Sequence, residues 1–507
     1  MAQKRSIGLF DRSFSTWANV ASNLSANALA AVAYLVYVPL VIRYFGVEGY
    51  GLVGIFLSLQ TILTILDLGL SVSLNRELAV RISKPDRAPE MRDLVRTSET
   101  IYWSIALIIA IAATLTARPL AAYSNPQGFE FDTVVQSFLV MGVALAFHFP
   151  IALYSGGLYG IQRQAQVSAI FVVFSLLKTI GSVLVLEFIS PTTQAFFIWQ
   201  AMCAALHAAA LGLALRRGLP AAPSAARLRF DLLSNLWRFS AGVGLVTIIA
   251  TLISQIDKAV LVRLLTLENF GYYSIATTLS GNVQRLIQPI FQAYFPKLAD
   301  ASANSSTRSI SSTYHQGSQA LAVVVLPVCS IFVFFAPEIL FLWQRDAATV
   351  QNSSLIVSLL MAGSALNSLL YLPYALQLAN GWTRLQVIAQ LSLGAVSVPL
   401  TILLAMQYGG VGAAAVWVGF NLAFIAVSVP IMHRRVLPGE GWYWFLRDVV
   451  SPLAAVTVTA FAFRLVLPAT ESALLTALGI LVAYAVTAAS AIAVSSEIRG
   501  FLLRLLK

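Results

Sequence analysis

Arg43-Tyr-Phe-Gly-Val-Glu48-Gly-Tyr50-Gly51 returns 220 residues later as Arg263-Leu-Leu-Thr-Leu-Glu268-Asn-Phe270-Gly271, with arginine, glutamate, an aromatic and glycine in register. Outward from this pair, Gly160-x-x-Arg163 returns as Gly381-x-x-Arg384. Trp199 with Arg216-Arg217-Gly-Leu-Pro220 returns as Trp417 with Arg434-Arg435-Val-Leu-Pro438, at an offset of 218. Landmarks matched at nearly constant spacing are hard to obtain by chance in so apolar a chain, and they describe two similar halves.

Hydrophobic residues make up 58% of the 507 residues and charged residues 10%, where a soluble domain carries about 25% charge. A soluble core cannot hide that deficit, so the class is an all-α polytopic membrane protein. The apolar stretches are about 20 residues or longer, enough to cross a roughly 30 Å hydrocarbon layer as helices. Period-two alternation is not seen, which argues against a membrane β-barrel. Cys203 and Cys329 both fall in apolar spans and read as small core residues. The first apolar run, which follows Lys4, Arg5 and Arg12, lacks a small-residue cleavage site and reads as a span rather than a removed leader.

Hydropathy places about fourteen spans, near 17–42, 50–75, 98–117, 133–158, 167–188, 193–215, 237–262, 271–296, 318–343, 353–378, 385–406, 411–432, 446–467 and 472–495. With the N-terminus in the cytoplasm, 24 Lys and Arg fall on inside segments and 5 on outside segments, leaving Lys178, Lys258 and Arg285 within spans. The positive-inside rule then puts both termini in the cytoplasm. An offset of 220 residues corresponds to six spans, an even number, so the halves are parallel repeats related by an axis along the membrane normal. The expected organisation is a lobe over 1–220 (spans 1–6), a second over 221–440 (spans 7–12), and an appended part over 441–507 carrying spans 13 and 14. Two parallel halves in a membrane chain of this size point to a transporter.

Polar residues within the spans are ordered. Asn19, Asn23 and Asn27 share one face of span 1, and Gln60, Thr64, Asp67, Ser71 and Asn75 one face of span 2. Span 5 carries Ser168, Ser175, Lys178 and Ser182, and span 7 carries Thr247, Thr251, Ser254 and Lys258. Span 8 carries Thr277, Gly281, Gln284 or Arg285, Gln288 and Gln292. Single residues of this kind serve equally as interhelical hydrogen-bond glue. Five stripes together suggest a hydrated cavity between the halves. An ionisable residue at a helix centre costs about 2.5–3.5 kcal/mol unless paired or wet. Lys178 and Arg285 therefore read as cationic ligands for an anionic substrate, or else as structural partners of Asp67 or Asp257. Lys258 is a third candidate cation, although neighbouring side chains point about 100° apart, so either it or Asp257 contacts a partner helix. Asp67 and Asp257 are candidates for ion coupling, to a proton or sodium ion; the plainer role for Asp67 is to balance a nearby arginine. His148 and His207 read as packing histidines, and Arg43/Glu48 and Arg263/Glu268 as loop-fixing ion pairs. Pro39, Pro150, Pro289, Pro327, Pro373, Pro399 and Pro430 fall inside spans, where each removes a backbone hydrogen bond and permits a bend. There is no P-loop, no metal-spaced ligand group and no large outside loop for a catalytic domain, so neither an enzyme nor a resident cofactor is expected.

At these residues the chain resembles the Wzx-type polysaccharide-biosynthesis flippases of the multidrug/oligosaccharidyl-lipid/polysaccharide (MOP) superfamily. The motifs are Pro39 with Arg43 to Gly51, Leu66-Asp67-Leu-Gly69-Leu, Gly157-Leu-Tyr-Gly160-Ile-Gln162-Arg163 and Gln255-Ile-Asp257-Lys258. To these are added Phe270-Gly-Tyr272, Phe295-Pro296-Lys297-Leu298 and Phe335-Ala-Pro337-Glu338. The resemblance implies two six-helix lobes around a central cavity. It also implies translocation of an undecaprenyl-pyrophosphate-linked oligosaccharide across a bacterial inner membrane, with Lys178, Arg285 and Lys258 as the available cations. A polysaccharide polymerase and export machinery are the implied partners, and nucleic acid is not. Span 1 has no basic residue, which departs from the arginine-rich first span of lipid II flippases. The rivals are a cation-coupled multidrug extruder, which would need a mainly acidic cavity, and a membrane-embedded glycan polymerase or ligase.

Overall fold

The computed structural model describes residues 7–82, 87–220, 226–229, 248, 251–303, 307–467 and 472–505, with side chains described from Leu35 to Gly500. Asn19, Asn23 and Asn27 thus have side chains outside the described residues, and Thr247 lies outside them altogether. No strand occurs among the described residues, and ten helical stretches there are long and apolar enough to cross a membrane. Spans 1–6 and 9–14 map onto these stretches, span 8 is not among them, and half of span 7 (237–262) lies outside the described residues. Spans 1 and 2 run together as Ile7–Leu63, bent at Gly46, and spans 11 and 12 as Arg384–Val436, bent at Gly409. Both bends place glycine at positive φ, 68° and 58°, a region closed to most side chains. Span 3 is Ala88–Tyr123, span 5 Gln164–Phe188, span 6 Thr193–Gly218, span 9 Thr307–Gln344 and span 14 Ala473–Val494.

Among the described residues, spans 2, 4, 8 and 10 are interrupted, and span 9 is kinked at Phe335. Span 2 passes through a tight 3-10 turn at Thr64–Asp67 before restarting as Leu70–Arg81. Span 4 is split into Phe131–His148 and Pro150–Gly160. In the second half, span 8 is split into Leu267–Gly281 and Gln284–Ala303, and span 10 into Ala347–Leu369 and Tyr371–Ala379. Pro150 and Pro373 sit at or just beyond a break, whereas Pro39, Pro327, Pro399 and Pro430 lie in helical segments away from the kinks at Gly46, Phe335 and Gly409.

The chain forms two compact units, Met1–Lys258 with Thr266–Glu268, and Ala259–Leu265 with Asn269–Lys507. In the first unit the far halves of spans 2 and 4 pack backbone to backbone. A Cβ on Gly156 would stand 2.6 Å from the Ser71 carbonyl oxygen, and one on Gly160 2.6 Å from that of Asn75, the close approach that small residues four apart allow. Glu48 fixes a loop by a different bond from the one expected. Its Oε1 accepts the amides of Gln127 and Gly128 at 2.9 and 3.0 Å, and among the described residues no ion pair joins it to Arg43. Main-chain N–H groups in a loop need acceptors as much as a carboxylate needs a cation.

In the second unit, spans 13 and 14 pack on span 9 through Ile331, Phe335, Ala460 and Ala483. The Arg464–Glu338 pair flanks this contact, with the guanidinium 5.7 Å from the Phe335 ring centre.

The tryptophan landmark has a packing cause. A Cβ on Gly181 would lie 2.2 Å from the Trp199 indole, and one on Gly363 2.2 Å from that of Trp417. The same tryptophan is seated on glycine in both halves, but on span 5 in one and on span 10 in the other. Gly181→Ala and Gly363→Ala should each destabilise the protein by about 1–3 kcal/mol through overpacking. The measurement is the melting temperature in detergent, and an unchanged value for both would contradict the contact.

Candidate functional site

The break in span 2 exposes backbone groups where no water is freely available, and the local sequence satisfies them. Leu68 and Gly69 both adopt left-handed backbone, φ 49° and 75°. For leucine that conformation costs roughly 1–2 kcal/mol. The Leu68 amide closes the turn onto the Ile65 carbonyl at 3.1 Å. The new helix then starts with orphan N–H groups. Asp67 supplies the acceptor: its Oδ1 lies 3.3 Å from the Ser71 amide and its Oδ2 accepts the Ser71 hydroxyl at 2.9 Å. A third donor comes from span 3, where the buried Tyr102 hydroxyl bonds Asp67 Oδ1. Tyr102 also stacks on Phe149, at 5.0 Å between ring centres, and so ties the break in span 2 to the break in span 4.

Between the two breaks lies a cavity of about 380 Å³. Its polar lining is Gln60, Thr64, Asp67, Ser71 and His148, set among leucine, isoleucine, valine and Phe149 side chains. Four of the five residues of the span 2 stripe read from sequence are thus brought together, whereas Asn75 lies against Gly160 instead. The arginine expected to balance Asp67 is not what holds it: a phenol, a hydroxyl and an amide do. Hydroxyl and amide donors supply the hydrogen bonds that a carboxylate accepts, so Asp67 is held at the cavity wall by uncharged partners.

Lys178 stands at the middle of Gln164–Phe188, half-buried, with its ammonium 5.6 Å from the centre of the Phe56 ring. His148 and His207 both lie within reach of its charge. Among the described residues no carboxylate is within ion-pair distance of Lys178, so the alternative of a structural pair with Asp67 does not hold here. Its neighbours on the stripe have other work. Ser182 is fully buried and accepts the Gln200 amide of span 6 at 3.0 Å, and Ser168 bonds its own helix. His207 stacks on Phe174 at 4.9 Å, the packing role expected of it. His148 differs, because it lines the cavity.

In the second unit Arg285, Gln288 and Gln292 lie on one exposed face of Gln284–Ala303. The first turn of that helix is tied to the break in span 10 by the Tyr371 hydroxyl, which donates to Gln284 Oε1 at 2.6 Å. Lys258 donates to Gln255 Oε1 at 3.1 Å, and Asp257 is its half-buried neighbour on the same helix. Tyr102 and the breaks themselves escaped the sequence reading; a lone tyrosine in an apolar helix was the available signal, since a buried hydroxyl needs a partner.

The model of the polysaccharide biosynthesis protein family matches residues 16–302, more than half of the chain. The chain belongs to that family. A Shigella flexneri protein named as an O-antigen transporter is 20% identical over 406 residues, which cover 78% of this chain and 92% of that one. Among solved structures, the lipid II flippase MurJ in an inward closed conformation aligns at a TM-score of 0.70 and 12% identity, over 96% of this chain and 99% of its own. An inward-facing multidrug resistance transporter of the MATE family aligns at 0.66 and 14% identity, over 82% and 94%. These likenesses establish the MOP superfamily fold for this member of the family.

The Asp67–Tyr102 bond can be isolated by a double-mutant cycle. Tyr102→Phe and Asp67→Ala should each lower stability in detergent, with a coupling of about 1.5–3 kcal/mol, the range for a hydrogen bond to a charged group. Strict additivity of the two losses would show that the bond contributes nothing.

Proposed function

We propose that the protein is a flippase that moves a polyprenyl-pyrophosphate-linked oligosaccharide across the bacterial inner membrane by alternating access. One observation carries the site: Lys178 is a cation at the centre of a span, with no acid in ion-pair distance among the described residues. A lone ammonium at that depth is costly, and the cost is offset when a phosphate or pyrophosphate takes the place of the missing partner. Family membership and the O-antigen transporter relative support a lipid-linked glycan as the source of that anion.

In this reading the lobes are residues 1–220 and 221–440, with 441–507 appended. Lys178 is the favoured ligand of the pyrophosphate, with Arg285 and Lys258 as further candidate cations, and the polar faces of spans 1, 2 and 8 are candidates for hydrating the sugar. The lipid tail stays in the bilayer. Asp67, hydrogen-bonded by uncharged donors and set in a cavity wall, is the favoured group for a coupling proton or sodium ion, with Asp257 the other. Both termini lie in the cytoplasm, as the charge count of 24 against 5 supports. A polysaccharide polymerase would receive the product.

Lys178→Ala should reduce surface glycan by at least about tenfold, equivalent to roughly 1.4 kcal/mol of lost stabilisation, at unchanged protein abundance. Lys178→Ala with Arg285→Ala should abolish it. Surface glycan is read by immunoblot in a strain lacking the native gene. Normal export by the double variant would refute the cationic site.

A further inference from the structure

Spans 13 and 14, which lie outside the repeat, are fastened to span 9 by a polar cluster of the second unit. His315, on Thr307–Gln344, is 4% exposed, and Asp448 is fully buried. Both imidazole nitrogens face carboxylate oxygens. Nδ1 is bonded to Asp448 Oδ2, and Nε2 lies 3.2 Å from Glu440 Oε2. The other oxygens of the acids have donors of their own. Ser311 donates to Glu440 Oε1 at 2.9 Å, and Gln319 donates to Asp448 Oδ1 at 2.8 Å. Gln319 Oε1 in turn accepts the Glu497 amide at 2.9 Å, beyond span 14. The backbone carrying Asp448 widens to π-helical turns over Trp444–Val450, and Trp444 donates to Ser318 at 3.3 Å.

Counting protons decides what this cluster is. An ionised carboxylate only accepts, and a neutral imidazole has one N–H and one bare nitrogen. Two nitrogen-to-oxygen contacts need two protons, whereas a neutral histidine between two ionised acids supplies one. The second proton rests on the imidazole, on Asp448 Oδ2 or on Glu440 Oε2. In each placement the trio holds one proton more than the separate groups, with neutral imidazole, would hold. We propose that His315, Glu440 and Asp448 form a proton-binding clamp that fastens spans 13 and 14 to span 9 and loosens when that proton leaves.

The sign follows from the geometry. Loss of the proton sets a nitrogen lone pair against a carboxylate lone pair in a buried site, so one contact turns from attractive to repulsive. The clamp is closed at lower pH and opens as pH rises. Nothing else nearby takes over the role. Arg447 lies over the Tyr443 ring and 3.8 Å from Glu497. His433 faces the Val429 carbonyl at 3.0 Å and packs on Tyr314 and Trp444. Tyr314 and Tyr443 present rings to His315 at 5.4 and 4.8 Å. Lys297 lies over Tyr294, and Arg499 bonds the Ala493 carbonyl. Asp300 on the neighbouring helix, Arg308 on the same one, and Arg434 and Arg435 in the last turn of Arg384–Val436 are further charged groups, Arg435 lying over the Trp382 ring; among the described residues only Glu440 and Asp448 pair with His315.

Hydrogen–deuterium exchange of the full chain in lipid nanodiscs tests the clamp without any transport assay, so its outcome is separate from that of the flippase reading. Peptides covering 440–466 are followed from about pH 6 to about pH 9, with rates corrected for intrinsic exchange. Wild-type protection should fall at least about tenfold across this range, and His315→Gln should give low protection that does not vary with pH. A flat wild-type profile, or a His315→Gln profile that follows wild type, overturns the proposal. If His315→Gln does not accumulate, Glu440→Gln supplies the decision, because that side chain is one-third exposed and its replacement keeps the fold. Its midpoint should move to lower pH, and an unmoved midpoint overturns the clamp.

Discussion

Hydrocarbon offers no water to a backbone N–H or C=O, so a transmembrane helix that breaks must find partners for every group it releases. Among the described residues, spans 2, 4, 8 and 10 are interrupted in this way. In span 2 a 3-10 turn absorbs part of the demand, and a carboxylate absorbs the rest by accepting the amide and hydroxyl of the residue that opens the next helix. That carboxylate needs its own donor, which arrives as Tyr102 from span 3. The cavity, the left-handed Leu68 and the stacking of Tyr102 on Phe149 all follow from one interrupted ladder.

The two halves solve the same problem with different chemistry. Where the first places a charged acid against a phenol, the second joins a phenol to an amide, Tyr371 to Gln284. Duplication preserved the positions of the breaks to within a few residues and left their polarity free to diverge. The tryptophan seats diverged in the same manner, keeping the indole-on-glycine contact while changing the helix that offers the glycine. A repeat therefore conserves the need for a contact more faithfully than its identity.

This explains what the sequence made legible. Span number, order and approximate ends follow from apolar length, which depends on bilayer thickness and not on neighbours. Lys178 was legible because an isolated charge in an apolar run has no local explanation. The breaks were not, because proline is ambiguous in a membrane: Pro150 accompanies one, yet Pro327 and Pro399 sit in helical segments several residues from the kinks at Phe335 and Gly409. Nor does leucine at position 68 announce positive φ. Charge bookkeeping favoured an arginine beside Asp67, and uncharged donors on another span leave no trace in that count. Ser182 shares a helical face with Lys178, yet only packing against Gln200 reveals it as glue.

Gly156 and Gly160 carry a mechanical consequence. By letting the Pro150–Gly160 helix press against the backbone at Ser71 and Asn75, they remove any play between the far halves of spans 2 and 4. Two interruptions are thereby joined into one packed unit: a tilt of the segment beyond Asp67 must be accommodated by the segment beyond Phe149, because their backbones are in contact and Tyr102 bridges the two interruptions.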